Sequence, residues 1–245
     1  NDGGWLNWYT KADRYSRSKL NADLETLRAY YLNRGYLEFN VENAQVTISP
    51  DKQDISLTIF VKEGQPYTVT GVRLEGEYLG KEEEFKQLIG IRAGEPYRAA
   101  AVTATTKAFT DRFGTFGYAF ARVEPRTGID RANGQVGVVL VADPQRRVYV
   151  RRIDVAGNTR TRDEVVRREF RQLESSWYDG ERIKLSRERV DRLGYFKDVE
   201  VNEAEVAGTA DQVDLTVNVT ERPTGNLQLG VSYSSADRLA LSASV

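Results

Sequence analysis

The chain has 245 residues with 35 basic and 36 acidic side chains, a formal charge of −1 that argues against a general nucleic-acid binder. It contains no His, Cys or Met, which removes Ser–His and Cys–His nucleophile pairs, zinc fingers and iron–sulfur sites. No Gly-rich phosphate loop occurs and no apolar run reaches transmembrane-helix length; no cofactor, metal, catalytic residue or spanning helix is expected, and the chain does not read as an enzyme.

Apolar spacing predicts a helix over about 20–32 that runs into Gly35-Tyr36, followed by alternating strands over 41–48 and 55–61. After a short junction, Val69, Val72 and Leu74 alternate up to Gly76. Glu82-Glu83-Glu84 then opens a helix, where acids complement the macrodipole. Gly94-Glu95-Pro96-Tyr97 breaks the chain, a second helix covers about 99–113, and Gly117-Tyr118 precedes strands over 121–129 and 136–142. Val148, Val150, Ile153 and Val155 mark the next strand, which turns at Gly157-Asn158. Thr161 and Glu164 have the spacing of a capping box for a helix through Val165, Val166 and Phe170. Ile183, Leu185, Val190 and Leu193 carry a second helix to Gly194-Tyr195, and strands over 199–206 and 213–219 follow. Val213, Leu215, Val217 and Val219 share one face, so that sheet is half-buried with helices over it. Finally, Leu227, Leu229, Val231 and Tyr233, then Leu239, Leu241, Ala243 and Val245, alternate with small or polar residues around Ser235-Ala236-Asp237. That pattern fits a transmembrane barrel hairpin or a soluble one.

The Gly-Tyr pairs lie 82 and 77 residues apart, and each is followed by two strands. Tyr97 and Tyr178 hold the same place before the second helix. The reading is a tandem α+β array of β-α-α-β-β modules, each a three-stranded sheet with two helices on one face. Residues 1–65 form a partial module, 66–145 and 146–222 complete ones, and 223–245 the hairpin. The chain opens within a module and stops within a pattern, and reads as a piece of a longer protein. Modules of about 80 residues are marginal alone, so tandem neighbours are expected to brace one another.

This order, with Gly-Tyr before each strand pair, resembles the polypeptide-transport-associated (POTRA) family, in the form it takes in outer-membrane β-barrel assembly (BAM) factors. Leu24-Glu-Thr-Leu-Arg-Ala-Tyr-Tyr-Leu-Asn-Arg-Gly-Tyr36 resembles the third domain of such arrays. Tyr149-Val-Arg-Arg-Ile153, Gly157-Asn158 and Arg167-Arg-Glu-Phe-Arg-Gln172 resemble the fifth. Glu221-Arg-Pro-Thr-Gly225 and Gly230-Val-Ser-Tyr233 resemble the passage into the first barrel strand, with Pro223 a departure that a linker entering an edge strand tolerates. The resemblance covers essentially the whole chain. It implies an insertase for β-barrel proteins in the outer membrane of Gram-negative bacteria, working without nucleotide or cofactor. Its POTRA modules would lie in the periplasm, bind unfolded outer-membrane protein clients by β-augmentation, and hold BamD and other BAM lipoproteins. POTRA arrays of two-partner secretion transporters and division scaffolds are alternatives. A KH-type RNA-binding module, suggested by Gly114-Thr115-Phe116-Gly117, is a remote one, since that motif falls between a helix and a strand.

The resemblance puts the second strand of each module at a sheet edge, where unpaired N–H and C=O groups can accept an added strand. The edge over 199–207 carries Glu200, Glu203 and Glu205 and reads as blunted by charge. The least protected edge is the first, with Val41, Ala44, Val46, Thr47, Ile48 and Ser49, and this is the expected client edge; an ordinary half-buried strand has the same pattern. The last module is polarised, with 15 basic and 9 acidic residues over 146–197 but only acidic ones, 7 of them, over 198–221. Arg167, Arg171 and Glu174 fall on one face by helical spacing, beside Arg168; that face is either simply solvated or, as the resemblance implies, the lipoprotein docking site, with Glu174 foremost.

Overall fold

A computed structural model describes residues 6–48, 55–223, 228–232 and 240–244. In chain order the elements are α1 (Leu6–Leu32), β1 (Asn40–Ile48), β2 (Ile55–Lys62), β3 (Thr68–Gly76), α2 (Glu82–Lys86), α3 (Ala99–Thr115), β4 (Arg122–Asp130) and β5 (Gln135–Asp143). They continue with β6 (Tyr149–Ala156), α4 (Asp163–Arg167), α5 (Gly180–Asp191), β7 (Phe196–Glu205), β8 (Gln212–Glu221), β9 (Gln228–Ser232) and β10 (Ala240–Ser244). This is the expected β-α-α-β-β order, twice complete.

The strand orders are β3-β5-β4 and β6-β8-β7. The closing strand of each complete module is therefore central. It pairs in parallel with the opening strand (β3 or β6) and antiparallel with the second strand (β4 or β7). Central position explains the alternation: Val136, Val138, Leu140 and Ala142 of β5, and Val213, Leu215, Val217 and Val219 of β8, are all buried. Over the middle module, Tyr78, Phe85 and Phe109 meet edge to face at 5.0–5.9 Å, and the Tyr78 hydroxyl donates to the Leu140 carbonyl at 2.8 Å. In the third module Val166, Phe170, Ile183 and Val190 cover the sheet. The hairpin residues form an antiparallel pair, β9 with β10; Leu227, Tyr233, Ser235, Ala236, Asp237, Leu239 and Val245 lie outside the described residues.

The compact units do not follow the repeat. One comprises residues 1–112 and 121–144, the other residues 113–120 and 145–245. The division falls inside α3, and the reason is the Gly-Tyr loop. In the second unit the Val148 N–H donates to the Gly117 carbonyl at 2.9 Å, and Ala119 and Phe120 pack against the third module's core. The same joint occurs in the first unit, where the Tyr67 N–H donates to the Gly35 carbonyl at 2.9 Å. Gly35 has φ +95° and Gly117 +97°, and a Cβ at Gly35 would sit 2.9 Å from the Tyr67 carbonyl oxygen. Only Gly meets both demands there.

Around that joint, Glu38 accepts from Arg131 Nε at 2.6 Å and from the Tyr67 hydroxyl at 2.8 Å, and the Arg131 bond holds its carboxyl below the usual range. Asn33 Oδ1 accepts from the Ala100 N–H at 2.8 Å, capping the start of α3. The first two repeats thus brace each other.

Two local expectations fail. Thr161 and Glu164 form no capping box: α4 starts at Asp163 with no side-chain cap, and the Thr161 N–H donates instead to Glu221 at 2.7 Å. Leu185, expected to bury, is exposed. A further feature recurs that apolar patterning does not reveal. The buried Thr105 hydroxyl accepts from the Gly90 N–H at 3.1 Å and donates to the Ala101 carbonyl; the buried Ser186 hydroxyl does the same with Arg171 and Arg182. Each ties the loop after the short helix to the long one. Replacing Thr105 by Val leaves the Gly90 N–H without its acceptor and is expected to cost about 1–3 kcal/mol. The neighbouring half-buried Thr106→Val, whose hydroxyl only returns to the Thr103 carbonyl of its own helix and accepts from no loop N–H among the described residues, should be near neutral. Urea denaturation of both variants checks this; equal midpoints would remove the role given to the buried hydroxyl.

Candidate functional site

The sheet topology leaves two edges on each complete module, and the three second strands carry different protection. In the first module β1 pairs only with β2 among the described residues. Val41 and Ala44 are half-buried, Thr47 is exposed, and a bulge falls between Val41 and Asn43. Ser49 and the side chains of Val46 and Ile48 lie outside the described residues. In the middle module Pro125 of β4 sits opposite Leu140 and offers no N–H to a ladder.

Charge blunting of β7 needs refinement. Glu203 and Glu205 stand opposite Leu215 and Val213, on the helix-covered face, whereas Glu200 stands opposite Asn218 on the other. Glu203 accepts from the Tyr178 hydroxyl at 2.6 Å. Arg187 of α5 adds a protection the sequence did not reveal, donating from Nε to the Val199 carbonyl at 2.8 Å.

The opening strand β6 is an edge too, and it is closed from within. Residues 175–178 run antiparallel beside it: Val150 N–H donates to the Ser176 carbonyl at 2.8 Å, Ser175 N–H to the Val150 carbonyl at 2.7 Å, and Tyr178 N–H to the Val148 carbonyl at 3.0 Å. Where that pairing stops, Glu174 Oε1 accepts from the Ile153 N–H at 2.7 Å. A carboxylate oxygen stands in for the carbonyl of a further strand.

This geometry changes the basis of the predicted docking residues. α4 ends at Arg167, with Arg168 at its C-cap, so Arg171 and Glu174 lie beyond the helix and helical spacing does not align them. Arg167 and Glu174 still meet, Nη1 to Oε1 at 3.5 Å, while Arg167 also pairs with Asp163. Arg171 turns to the Arg168 and Phe170 carbonyls, and Arg168 lies within 3.7 Å of Glu169. Sequence reasoning missed two apolar residues beside Glu174: Leu173 is 62% exposed and Trp177 53%. Arg147 lies over the Trp177 ring at 4.4 Å and Tyr149 meets its edge. An exposed Trp, Leu and Arg set around a half-exposed carboxylate has the residue types that anchor protein interfaces. The remaining helix-strand junction is occupied: Gly114 packs against Tyr178 and Gly180, so residues 114–117 do not form an exposed loop between helices.

The exit from the third module is fixed at two points. Glu221 accepts from the N–H groups of Thr161 and Arg160 and from the Thr159 hydroxyl, at 2.7–3.1 Å. Arg222 donates from N–H to the Tyr195 carbonyl at 2.8 Å and from Nε to the Phe196 carbonyl at 2.7 Å. The third Gly-Tyr therefore also receives the chain that leaves its module, through Tyr195; a Cβ at Gly194 would meet nothing within 4 Å.

A family model described as POTRA, surface antigen variable number repeat, matches residues 6–64, 67–145 and 148–222. The chain is 34% identical over 245 residues to an outer membrane protein assembly factor BamA of Neisseria meningitidis, covering all of this chain and 31% of that protein. It is 29% identical to the BamA of Buchnera aphidicola, over 94% of this chain and 37% of the other. The chain thus spans about a third of the length of the curated relatives it matches. The crystal structure of Haemophilus influenzae BamA POTRA3-5 is similar with a TM-score of 0.78 and 32% identity, over 82% of this chain and 80% of that one.

Acid titration tests the Glu221 clamp. The Thr161 N–H, followed by the Thr159 hydroxyl, holds its carboxyl near 2 in the folded chain against an ordinary 4.5. A depressed carboxyl adds stability above the unfolded value and loses it as pH falls through the folded one. Glu221→Gln should therefore melt below the wild type at neutral pH, with the gap closing between pH 4.5 and about 2. A gap that stays constant across that window would reject the clamp.

Proposed function

The chain belongs to the POTRA family, and on that premise we propose that it is the periplasmic array of an outer-membrane β-barrel assembly factor. In this reading it carries no chemistry of its own: it holds unfolded outer-membrane protein clients at open sheet edges and docks accessory lipoproteins, BamD first. Modules at 1–65, 66–145 and 146–222 lie in the periplasm, and residues 223–245 begin the barrel in the outer membrane. The similarity to named assembly factors over the whole chain supports the general role. The observation that carries the binding mode is the contrast among second strands: β7 is covered by Arg187 and glutamates and β4 is interrupted by Pro125, while β1 keeps an edge that is unpaired among the described residues. Edge N–H and C=O groups without partners favour an added strand.

A photo-crosslinker at Asn43 or Thr47 of β1 is expected to label an unfolded porin-type client several-fold more strongly than one at Asn202 of β7. Equal or stronger labelling at Asn202 would sink the preference. Lipoprotein docking is assigned to the Glu174 surface with Leu173 and Trp177. Because Glu174 also caps Ile153, two variants separate its roles: Glu174→Lys reverses the charge, and Glu174→Gln keeps an acceptor for the Ile153 N–H. Both are expected to lower co-purification of BamD. Full retention by the Gln variant would show that the charge is not what the partner reads.

A further inference from the structure

The middle and third modules align without a gap from Gly76 and Gly157 through Tyr97 and Tyr178 to Thr105 and Ser186. Their opening strands begin alike. Residues 94–97 run beside β3 as residues 175–178 run beside β6: Gly94 N–H donates to the Val69 carbonyl at 2.8 Å, Val69 N–H to the Glu95 carbonyl at 2.9 Å, and Tyr97 N–H to the Tyr67 carbonyl at 2.9 Å. Beyond that point the copies diverge. The position of Glu174, whose carboxylate caps the Ile153 N–H, is occupied by Ala93, which has no acceptor to offer Val72.

The direction of the β3 backbone groups follows from the ladder. Glu77 N–H points to β5, donating to the Ala142 carbonyl at 3.0 Å. Ile153, aligned with Val72, turns its N–H away from β8 to Glu174, and the same register with strand alternation turns the N–H and C=O groups of Val72 and Leu74 outward, away from β5. Among the described residues they meet no hydrogen-bond partner. Their side chains stand opposite Val138 and Leu140, on the helix-covered face, and are half-buried. Between this edge and the segment after α2 lies a groove of about 710 Å³, with Ile89, Ile91 and Ala93 on its far wall and Glu82 and Lys86 at its rim. In the third module the residues aligned with that wall are Phe170 and Gln172, both buried, and Glu174. There Phe170 joins the buried core, and Glu174 meets both the Ile153 N–H and Arg167.

We propose that this groove of the middle module is a second binding site for extended polypeptide, taking a segment with alternating apolar side chains as an added strand on the outer edge of β3. The chemistry of the wall selects that occupant. A row of outward backbone donors and acceptors two residues apart is satisfied by another backbone, and the isoleucine wall takes the apolar side chains that alternate with it. The third module supplies the precedent within the chain, since Glu174 places an acceptor on the same register. The site uses the opening strand and is independent of the edge of β1.

The test uses the full chain and a synthetic ten-residue peptide of alternating Val and Thr. Amide hydrogen exchange at Val72 and Leu74 is expected to slow several-fold when the peptide is added, with Ile153 and Val155 unchanged. Ala93→Glu, which transplants the third module's plug, should abolish that protection. The same peptide N-methylated at alternate residues, which cannot complete the ladder, should give none, and this arm requires no variant to fold. Protection confined to β1, protection equal at Ile153, or undiminished binding of the N-methylated peptide would each overturn the proposal; the first would do so while leaving the β1 reading standing.

Discussion

The bond from the Tyr67 N–H to the Gly35 carbonyl joins the end of one repeat to the start of the next, and the array is organised around it. It forms because the chain leaves α1 through a left-handed residue, which turns the carbonyl toward the incoming opening strand. A side chain at Gly35 would meet the Tyr67 carbonyl, so the turn and the joint are one requirement. Gly117 meets it with Val148. The third pair relaxes it: Tyr195 supplies the carbonyl, Arg222 the donor, and space is open around Gly194. In the first unit the Gly35–Tyr67 joint, with the Glu38–Arg131 and Asn33–Ala100 contacts around it, lets repeats of marginal size support each other.

From the joint follows the edge problem. The opening strand enters in parallel with the closing strand, so the closing strand is central and both other strands are edges. A naked edge is a liability in any soluble domain, and most of these are covered by identifiable devices. Glu174 and residues 175–178 cover β6, Arg187 covers part of β7, and Pro125 interrupts β4. Among the described residues protection is withheld at β1 and at the far half of β3, and those strands keep the capacity to pair that the others have given up.

Period-two alternation and the Gly-Tyr repeat made the strands legible, because a central strand with one covered face has no other solution for its apolar residues; Val213 to Val219 show this plainly. Single-module signals read less well. Thr161 and Glu164 have capping-box spacing, but Glu221 competes for the Thr161 N–H from a distant strand, and no local pattern encodes that. Arg171 and Glu174 have a helical spacing from Arg167, but the helix lapses there; Glu174 reaches its place by bonding Ile153 instead. The opening-strand edge, the buried hydroxyls of Thr105 and Ser186, and the exposed Leu173 and Trp177 depend on tertiary placement, which a pattern of apolar and polar residues does not carry.

Comparison of the two complete modules suggests how one fold acquires two uses. Ile89, Ile91 and Ala93 line an open groove, whereas of the aligned residues Phe170 and Gln172 are buried and Glu174 caps the opening strand. Gln172 does more than fill space: its amide donates to the Ser176 hydroxyl and the Trp177 carbonyl and its oxygen accepts from the Asp179 N–H. Those bonds hold residues 176–179 in the turn that presents Trp177 outward next to Glu174. The substitutions that seal the third module's edge thus also build its exposed aromatic and acidic surface. Closing an edge against extended chains and creating a rigid face for a folded partner are here the same structural change. This links the Glu174 cap on the third module's opening strand to the docking role proposed for that module.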